Sequence, residues 1–192
     1  MNVGAIVLAA GEGRRLGLGP KAHVDLGGAT FLERVVRTCR DAGIDRVWVV
    51  GRPTDTRIEP ACEALSVALV VNPEPERGMS SSVHVGLRAA QDAGMLGVVV
   101  FPVDHPLVRT DTVANLMAAV REDAYARPVH GGRHGHPVVL GAAVITGLLA
   151  HDLRPSLRDA LGALGARRID LAVEDAGTVD GVDLAADLAR VR

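Results

Sequence analysis

The residues best equipped for chemistry stand together near the start of the chain. Leu8-Ala9-Ala10-Gly11-Glu12-Gly13-Arg14-Arg15-Leu16-Gly17-Leu18-Gly19-Pro20-Lys21 holds four glycines, two adjacent arginines and a lysine. Glycines let backbone N–H groups approach a ligand, and Arg14, Arg15 and Lys21 can neutralise several phosphate charges, so the stretch reads as an anion-binding loop. Lys21 is the one lysine among 21 Lys plus Arg. A compact ammonium thus stands here where every other side-chain cation of this kind is a planar guanidinium fork; a chance surface lysine is the structural alternative. Gly-Lys-Ser/Thr does not occur, which excludes a Walker A loop, while Gly11-x-Gly13-x-x-x-Gly17 approaches a dinucleotide fingerprint and keeps an NADP-linked oxidoreductase in view. Against that rival, no acidic residue or arginine closes a second strand at the expected distance of about twenty residues.

Further along, Asp104 ends the most apolar run, 97–103. A carboxylate at the end of a buried strand beside a phosphate loop can hold Mg²⁺, which takes one or two carboxylates along with phosphate oxygens; a turn cap ahead of Pro106 is the structural alternative. Asp183, before Leu184-Ala185-Ala186-Asp187, offers a second carboxylate or an N-cap. Ser80, Ser81 and Ser82 follow Gly78-Met79 at the start of a predicted helix over 81–93. Hydroxyls and free N–H groups there suit a nucleotide's sugar or base, and suit capping equally well. His130, His134 and His136 invite a zinc reading that no neighbouring cysteine or carboxylate completes. The serines lie in no G-x-S-x-G elbow, so a hydrolase triad has no support.

The elements that must position these groups are legible in the periodicity. Apolar runs at 3–7, 46–50, 67–71 and 97–103 read as strands, and 22–26 as a short extended piece. Thr30-Phe31-Leu32-Glu33 is a capping box opening a helix that stops at Gly43. Thr54 or Asp55 is expected to cap a short helix reaching about 65, and another helix covers 110–122. Strands at 125–129 and 137–140 flank a glycine- and histidine-rich loop, and helices within 142–164 break at 151–155 with Ser156 as a cap. A strand at 168–173, an extended piece at 178–182 and a helix over 185–191 close the chain. Strands alternating with helices predict an α/β fold: a mostly parallel sheet with helices on both faces and one antiparallel strand. In such sheets ligands bind beyond the carboxyl ends of the strands, so the loops after Ala9, Val71 and Val103 are expected to share one edge.

With 192 residues, 48% hydrophobic and 23% charged, the composition fits one globular domain over 1–192. Net charge is −2 and aromatics are 2%, which argues against nucleic-acid or membrane partners. The amino terminus lacks a signal-peptide pattern, and Cys39 and Cys62 have no CxxC spacing, so a cytoplasmic protein with reduced thiols is expected.

Taken together, the motifs resemble the MobA-like nucleotidyltransferases, most closely the molybdenum cofactor cytidylyltransferases. The matching residues are Leu8-Ala9-Ala10-Gly11-x-Gly13-x-Arg15-Leu16-Gly17 with Lys21, then Asn72-Pro73, Gly78-Met79-Ser80-Ser81-Ser82, Val103-Asp104-His105-Pro106-Leu107-Val108 and Gly135-His136-Pro137-Val138. The resemblance runs from Val3 to about Leu188. It implies a Rossmann-like three-layer sandwich and Mg²⁺-dependent transfer of a nucleoside monophosphate from an NTP, with release of pyrophosphate. The Leu8-Ala9-Ala10-Gly11 form, in place of Leu-Ala-Gly-Gly, points to the cytidylyl branch, hence to CTP as donor and molybdopterin as acceptor, with a molybdoenzyme as recipient. By the same resemblance Arg15, Lys21 and Asp104 are catalytic, and Asp104 with Asp183 holds the metal. Nucleotide contacts fall to Leu8, Ala9, Ala10, Gly11, Gly13, Arg14, Arg15 and Lys21, and to Asn72, Gly78, Ser80, Ser81 and Ser82. Acceptor contacts fall to Gly135, His136 and Pro137. The family's Asp-Thr-Pro-x-Asp is here Asp183-Leu184-Ala185-Ala186-Asp187. Alternatives are guanylyl or other nucleotidyl transfer to molybdopterin or another phosphorylated acceptor, and a non-catalytic chaperone that binds and inserts the finished cofactor.

Overall fold

Side chains on successive strand residues point to opposite faces, and here both faces are apolar, as a sheet covered on two sides requires. A computed structural model describes residues 2–13, 19–151 and 156–182. In it the first apolar runs become β1 (Val3–Leu8), β2 (Val47–Gly51), β3 (Ala68–Val71) and β4 (Gly97–Pro102), parallel and in the order β3-β2-β1-β4. β7 (Val138–Gly141) lies antiparallel to β4, Val138 opposite Val100, and antiparallel to β5 (Ala124–His130) on its other side. β8 (Arg167–Ala172) runs parallel to β5. The expected antiparallel strand is therefore β7. A second, two-residue one, β6 (Arg133–His134), pairs with the end of β5 across a two-glycine turn. Gly131 and Gly132 have φ of 55° and 77°, the left-handed pair that a tight hairpin turn demands.

Helices α1 (Phe31–Asp41), α2 (Ile58–Ala64) and α4 (Thr110–Ala119) cover one face, packing Phe31, Val35, Cys62 and Leu116 against Ala5, Val7, Val49 and Phe101. The other face carries α3 (Met79–Asp92), α5 (Ala142–Ala150) and α6 (Leu157–Leu164), with Leu87, Ile145 and Leu161 against Ile6, Val50, Val100 and Leu140. This is the Rossmann-like three-layer sandwich. Helix α1 begins at its capping box: the Thr30 hydroxyl accepts from the Glu33 N–H, and the Glu33 carboxylate accepts from the Thr30 N–H.

Four expectations need correction. Helix α2 starts at Ile58, with neither Thr54 nor Asp55 as cap. Asp55 instead accepts from Arg57 N–H and pairs with His23 Nε2 at 2.8 Å. Helix α3 starts at Met79, two residues early, with Gly78 as N-cap at φ 88°. Residues 21–23 form a 3₁₀ turn rather than extended chain, and a second such turn, Ala176–Thr178, occupies the start of the 178–182 piece. The helix expected at 185–191 lies outside the described residues. Among the described residues no helix is long and apolar enough to cross a membrane. Cys39 and Cys62 are free and buried.

Candidate active site

The carboxyl ends of β1 and β4 are in register, Leu8 beside Pro102. The segments leaving those strands therefore begin side by side, and Lys21 and Asp104, 83 residues apart in sequence, meet with Nζ 3.0 Å from Oδ2. Their side chains are 14% and 26% exposed, so water screens the pair less than it would a surface pair. A cleft of about 300 Å³ opens above them. Leu8, Ala10, Gly11, Gly13 and Lys21 line one side of it; Pro75, Gly78, Met79 and Ser82, at the start of α3, line another; Pro102, Val103 and Asp104 form its floor. A helix N-terminus carries unpaired N–H groups and partial positive charge, so glycine loop, ammonium and helix start all favour an anion in this space.

The first loop closes on itself. A Cβ on Gly13, whose φ is +64°, would lie 1.9 Å from Gly19 O, so only glycine allows the chain to return this tightly. Arg14 and Arg15, between these glycines, lie outside the described residues. Glu12 pairs with Arg52 at 2.9 Å, and Arg52 also donates to Thr54 Oγ1 at 2.8 Å. Arg52 follows β2 directly, an arginine at a strand end that spacing from the glycines does not reveal. Its side chain turns to the carboxylate of the loop itself.

Several predicted nucleotide contacts sit behind the cleft. Ala9 packs in the core beneath it and donates its N–H to Val50 O. Asn72 is 1% exposed and donates from Nδ2 to Ser81 Oγ at 2.8 Å and Ser82 Oγ at 2.9 Å. The Ser81 hydroxyl donates back to Gly78 O at 2.8 Å. Asn72 and Ser81 thus brace the first turn of α3, and neither caps it nor lines the cleft. Ser80 is buried, and its Oγ has no hydrogen-bond partner among the described residues. Of the three serines, Ser82 is the one that lines the cleft.

Gly135, His136 and Pro137 are not cleft-lining either; a relay of rings links them to it. The His136 ring stands 5.1 Å from that of His105, and His105 Nε2 lies 4.0 Å from Asp104 Oδ1. His105 Nδ1 donates to Gly177 O at 3.0 Å, which fixes its tautomer, because a carbonyl only accepts. Burial, then the neighbouring His105 and Arg158, push the His136 imidazole down to about 4 against the pull of Asp104, so this ring is neutral at neutral pH. His130 is committed elsewhere, to Val173 O, and His134 faces Asp170 at 3.8 Å. The described residues hold no cluster of three or more His, Cys, Asp or Glu able to bind a metal.

Asp104 alone still suits Mg²⁺ by donor chemistry: a hard carboxylate, partly exposed to the cleft, with room for phosphate oxygens to complete the shell. Asp183 lies outside the described residues. The residue before it, Val182, donates its N–H to Asp104 O at 2.8 Å.

A mostly parallel α/β sandwich with a glycine loop, a partly buried lysine and a strand-end aspartate around one cleft fits a nucleotide-handling class of protein. The chain belongs to the MobA-like NTP transferase family, whose domain profile matches residues 5–175. A relative from Paenarthrobacter nicotinovorans named nicotine blue oxidoreductase is 30% identical, over 86% of this chain and 79% of its own length. A molybdenum cofactor guanylyltransferase from Shewanella baltica is 29% identical over 88% of this chain and 79% of its own. In structure, a nucleotidyl transferase from Methanothermobacter thermautotrophicus superposes with a TM-score of 0.85 at 24% identity, covering 99% of this chain and 95% of that one. A Mycobacterium tuberculosis protein solved in complex with manganese gives 0.77 at 20%, covering 100% and 98%. These two likenesses establish the nucleotidyltransferase fold.

Proposed function

We propose that this chain is a cytoplasmic enzyme that transfers CMP from CTP to the phosphate of molybdopterin, releasing pyrophosphate and supplying a molybdoenzyme. The observation that carries the reading is the Lys21–Asp104 pair at 3.0 Å within the glycine-loop cleft. Support for a pterin acceptor comes from the relatives named molybdenum cofactor guanylyltransferase. A Thermus thermophilus relative named 2-C-methyl-D-erythritol 4-phosphate cytidylyltransferase, 31% identical over 67% of this chain, supports a cytidine nucleotide.

An acceptor phosphate is already anionic, so the reaction needs no general base. Its oxygen bonds to the α-phosphorus as the bond to the bridging oxygen of the β-phosphate breaks, and catalysis rests on positioning and charge. The backbone of Ala10, Gly11 and Gly13, with Arg14 and Arg15, cradles the triphosphate. Lys21 turns from Asp104 to the phosphates and neutralises the charge that builds on the departing pyrophosphate. Asp104, with Asp183 as second carboxylate, would hold Mg²⁺, which would supply Lewis-acid polarisation at the α-phosphate. Gly78 and Ser82 meet the sugar or base, and Gly135, His136 and Pro137 orient the acceptor.

One observation favours a second reading: the relative at 30% identity is named an oxidoreductase. In that case the same cleft takes NADPH. Thermal unfolding against CTP, GTP, ATP and NADPH, each with and without Mg²⁺, separates the cases. A ligand at a hundredfold excess over Kd stabilises by about 2.7 kcal/mol, a shift of several degrees. An Mg²⁺-dependent shift with CTP, followed by pyrophosphate release on adding molybdopterin, is the expected result. A shift with GTP moves the reading to guanylyl transfer. Binding of CTP without turnover moves it to a cofactor chaperone, and a shift with NADPH alone overturns it.

A further inference from the structure

At the edge of the family match, Asp175 is buried, at 4% exposed. Its Oδ2 accepts from Arg109 N–H at 2.9 Å and from Thr112 Oγ1 at 2.7 Å, both at the start of α4. Its Oδ1 accepts from Gly177 N–H at 3.1 Å, and its carbonyl from the Thr178 hydroxyl at 2.7 Å. The carboxylate thus clamps the turn Ala176–Thr178 onto α4. That turn then offers two successive carbonyls to the site. Gly177 O receives His105 Nδ1–H at 3.0 Å, and Thr178 O receives His136 N–H at 2.8 Å. The fit is close on both sides: a Cβ on Gly177 would stand 2.5 Å from Leu107 O, and one on Gly135 2.4 Å from Thr178 O.

We propose that Asp175 is a positioning residue for group transfer: by fixing the turn Ala176–Thr178, it sets the spacing between the Asp104–His105 strand end and the His136 loop. The proposal rests on the nucleotidyl-transfer reading for what that spacing achieves, namely holding the acceptor's phosphate in line with the α-phosphate. Asp175 touches neither substrate. It acts through two histidines that come from different strands, one following β4 and one preceding β7. A carboxylate that only capped a surface turn would leave those rings indifferent to its loss.

The test uses the full-length ¹⁵N-labelled protein. Asp175→Asn keeps one acceptor oxygen and replaces the other with an amide nitrogen, so whichever way the amide turns, either the Arg109 N–H or the Gly177 N–H loses its acceptor. The imidazole nitrogen signals of His105 and His136 are expected to shift together while those of His23 and His84 stay in place. CMP transfer from CTP to molybdopterin is expected to slow roughly tenfold or more through kcat, with Mn²⁺-CTP affinity as in the wild type. Thr112→Val, which removes a single donor, carries the test if Asp175→Asn does not fold, and Thr112→Ser should restore both readouts. Unmoved His105 and His136 signals overturn the proposal, as does a wild-type kcat alongside moved signals. If the wild-type protein transfers no CMP to molybdopterin, the substrate reading fails on its own, and the imidazole signals alone decide whether Asp175 holds the two rings.

Discussion

Gly13→Ala adds one methyl group where the first loop returns on itself, and its effect can be worked from the coordinates. The new Cβ would stand 1.9 Å from Gly19 O, a backbone atom, whereas ordinary contact begins at 3.4 Å, so the two ends of the loop must part by about 1.5 Å. Holding alanine at φ +64° adds about 1–2 kcal/mol. Lys21 follows Gly19 by two residues, so a shift of that size moves its ammonium, which rests 3.0 Å from Asp104 Oδ2, out of charge-assisted hydrogen-bonding range of the phosphates it turns to in the proposed reaction. The sheet and both helical layers are untouched, so the loss of Tm should stay within roughly 2–8 °C. A lost charge-assisted contact is worth about 1.5–3 kcal/mol, weakening CTP binding about tenfold or more. At a CTP concentration that stabilises the wild type by about 2.7 kcal/mol, the variant should then gain about 1.4 kcal/mol or less. The assay is thermal unfolding with and without Mg²⁺-CTP. A Gly13→Ala protein that keeps the full CTP-dependent shift would refute the loop's role.

Three more outcomes are expected. Asp104→Asn should leave the apo fold intact and cut metal-dependent turnover by about 10²–10³-fold, measured as pyrophosphate release over an Mg²⁺ titration. His136, pushed down to about 4 from its usual 6.5, is neutral when folded and protonated when unfolded between those values. Stability must therefore fall as pH drops from about 6.5 towards 4, by up to about 3 kcal/mol from this ring; equilibrium unfolding at a series of pH values should show it, and His136→Asn should flatten it. Burial raises the thiols of Cys39 and Cys62 to about 12 and about 11, so neither should react with a maleimide at pH 8 until the protein is unfolded, as mass spectrometry of labelled samples can check.

The fold was legible wherever local chemistry decides it. Thr30 and Glu33 announce α1, Ser156 announces α6 by accepting from the Asp159 N–H, and the apolar runs announce the central strands. Helices α2 and α3 were misplaced by a few residues because Arg57 and Gly78, with no side-chain cap, stand where Thr54, Asp55 or Ser81 would be the textual choice. Asp55 is spent on His23 and Ser81 on Asn72, partners that lie outside each helix and that no local pattern announces. The site was legible as two halves, the glycine loop and Asp104. That they meet depends on the register of Leu8 with Pro102, which no local pattern encodes. Asn72 reads as a ligand contact by motif and is a brace by geometry, and Asp175 carries no motif at all.

The reversed direction of β7 decides which ends of the sheet can evolve separately. Because Val138 pairs with Val100 in an antiparallel strand, it is the beginning of β7, and not its end, that arrives beside Asp104. A parallel strand in that position would have needed a helical crossover and would have delivered its outgoing loop. Here a hairpin off β5 delivers an incoming one. In the proposed reaction the acceptor-facing segment is thereby encoded in a single excursion between His130 and Val138, downstream of the glycine loop and the start of α3. On that proposal, insertions or substitutions in the excursion re-specify the acceptor while the donor half of the molecule keeps its sequence, its register and its charge.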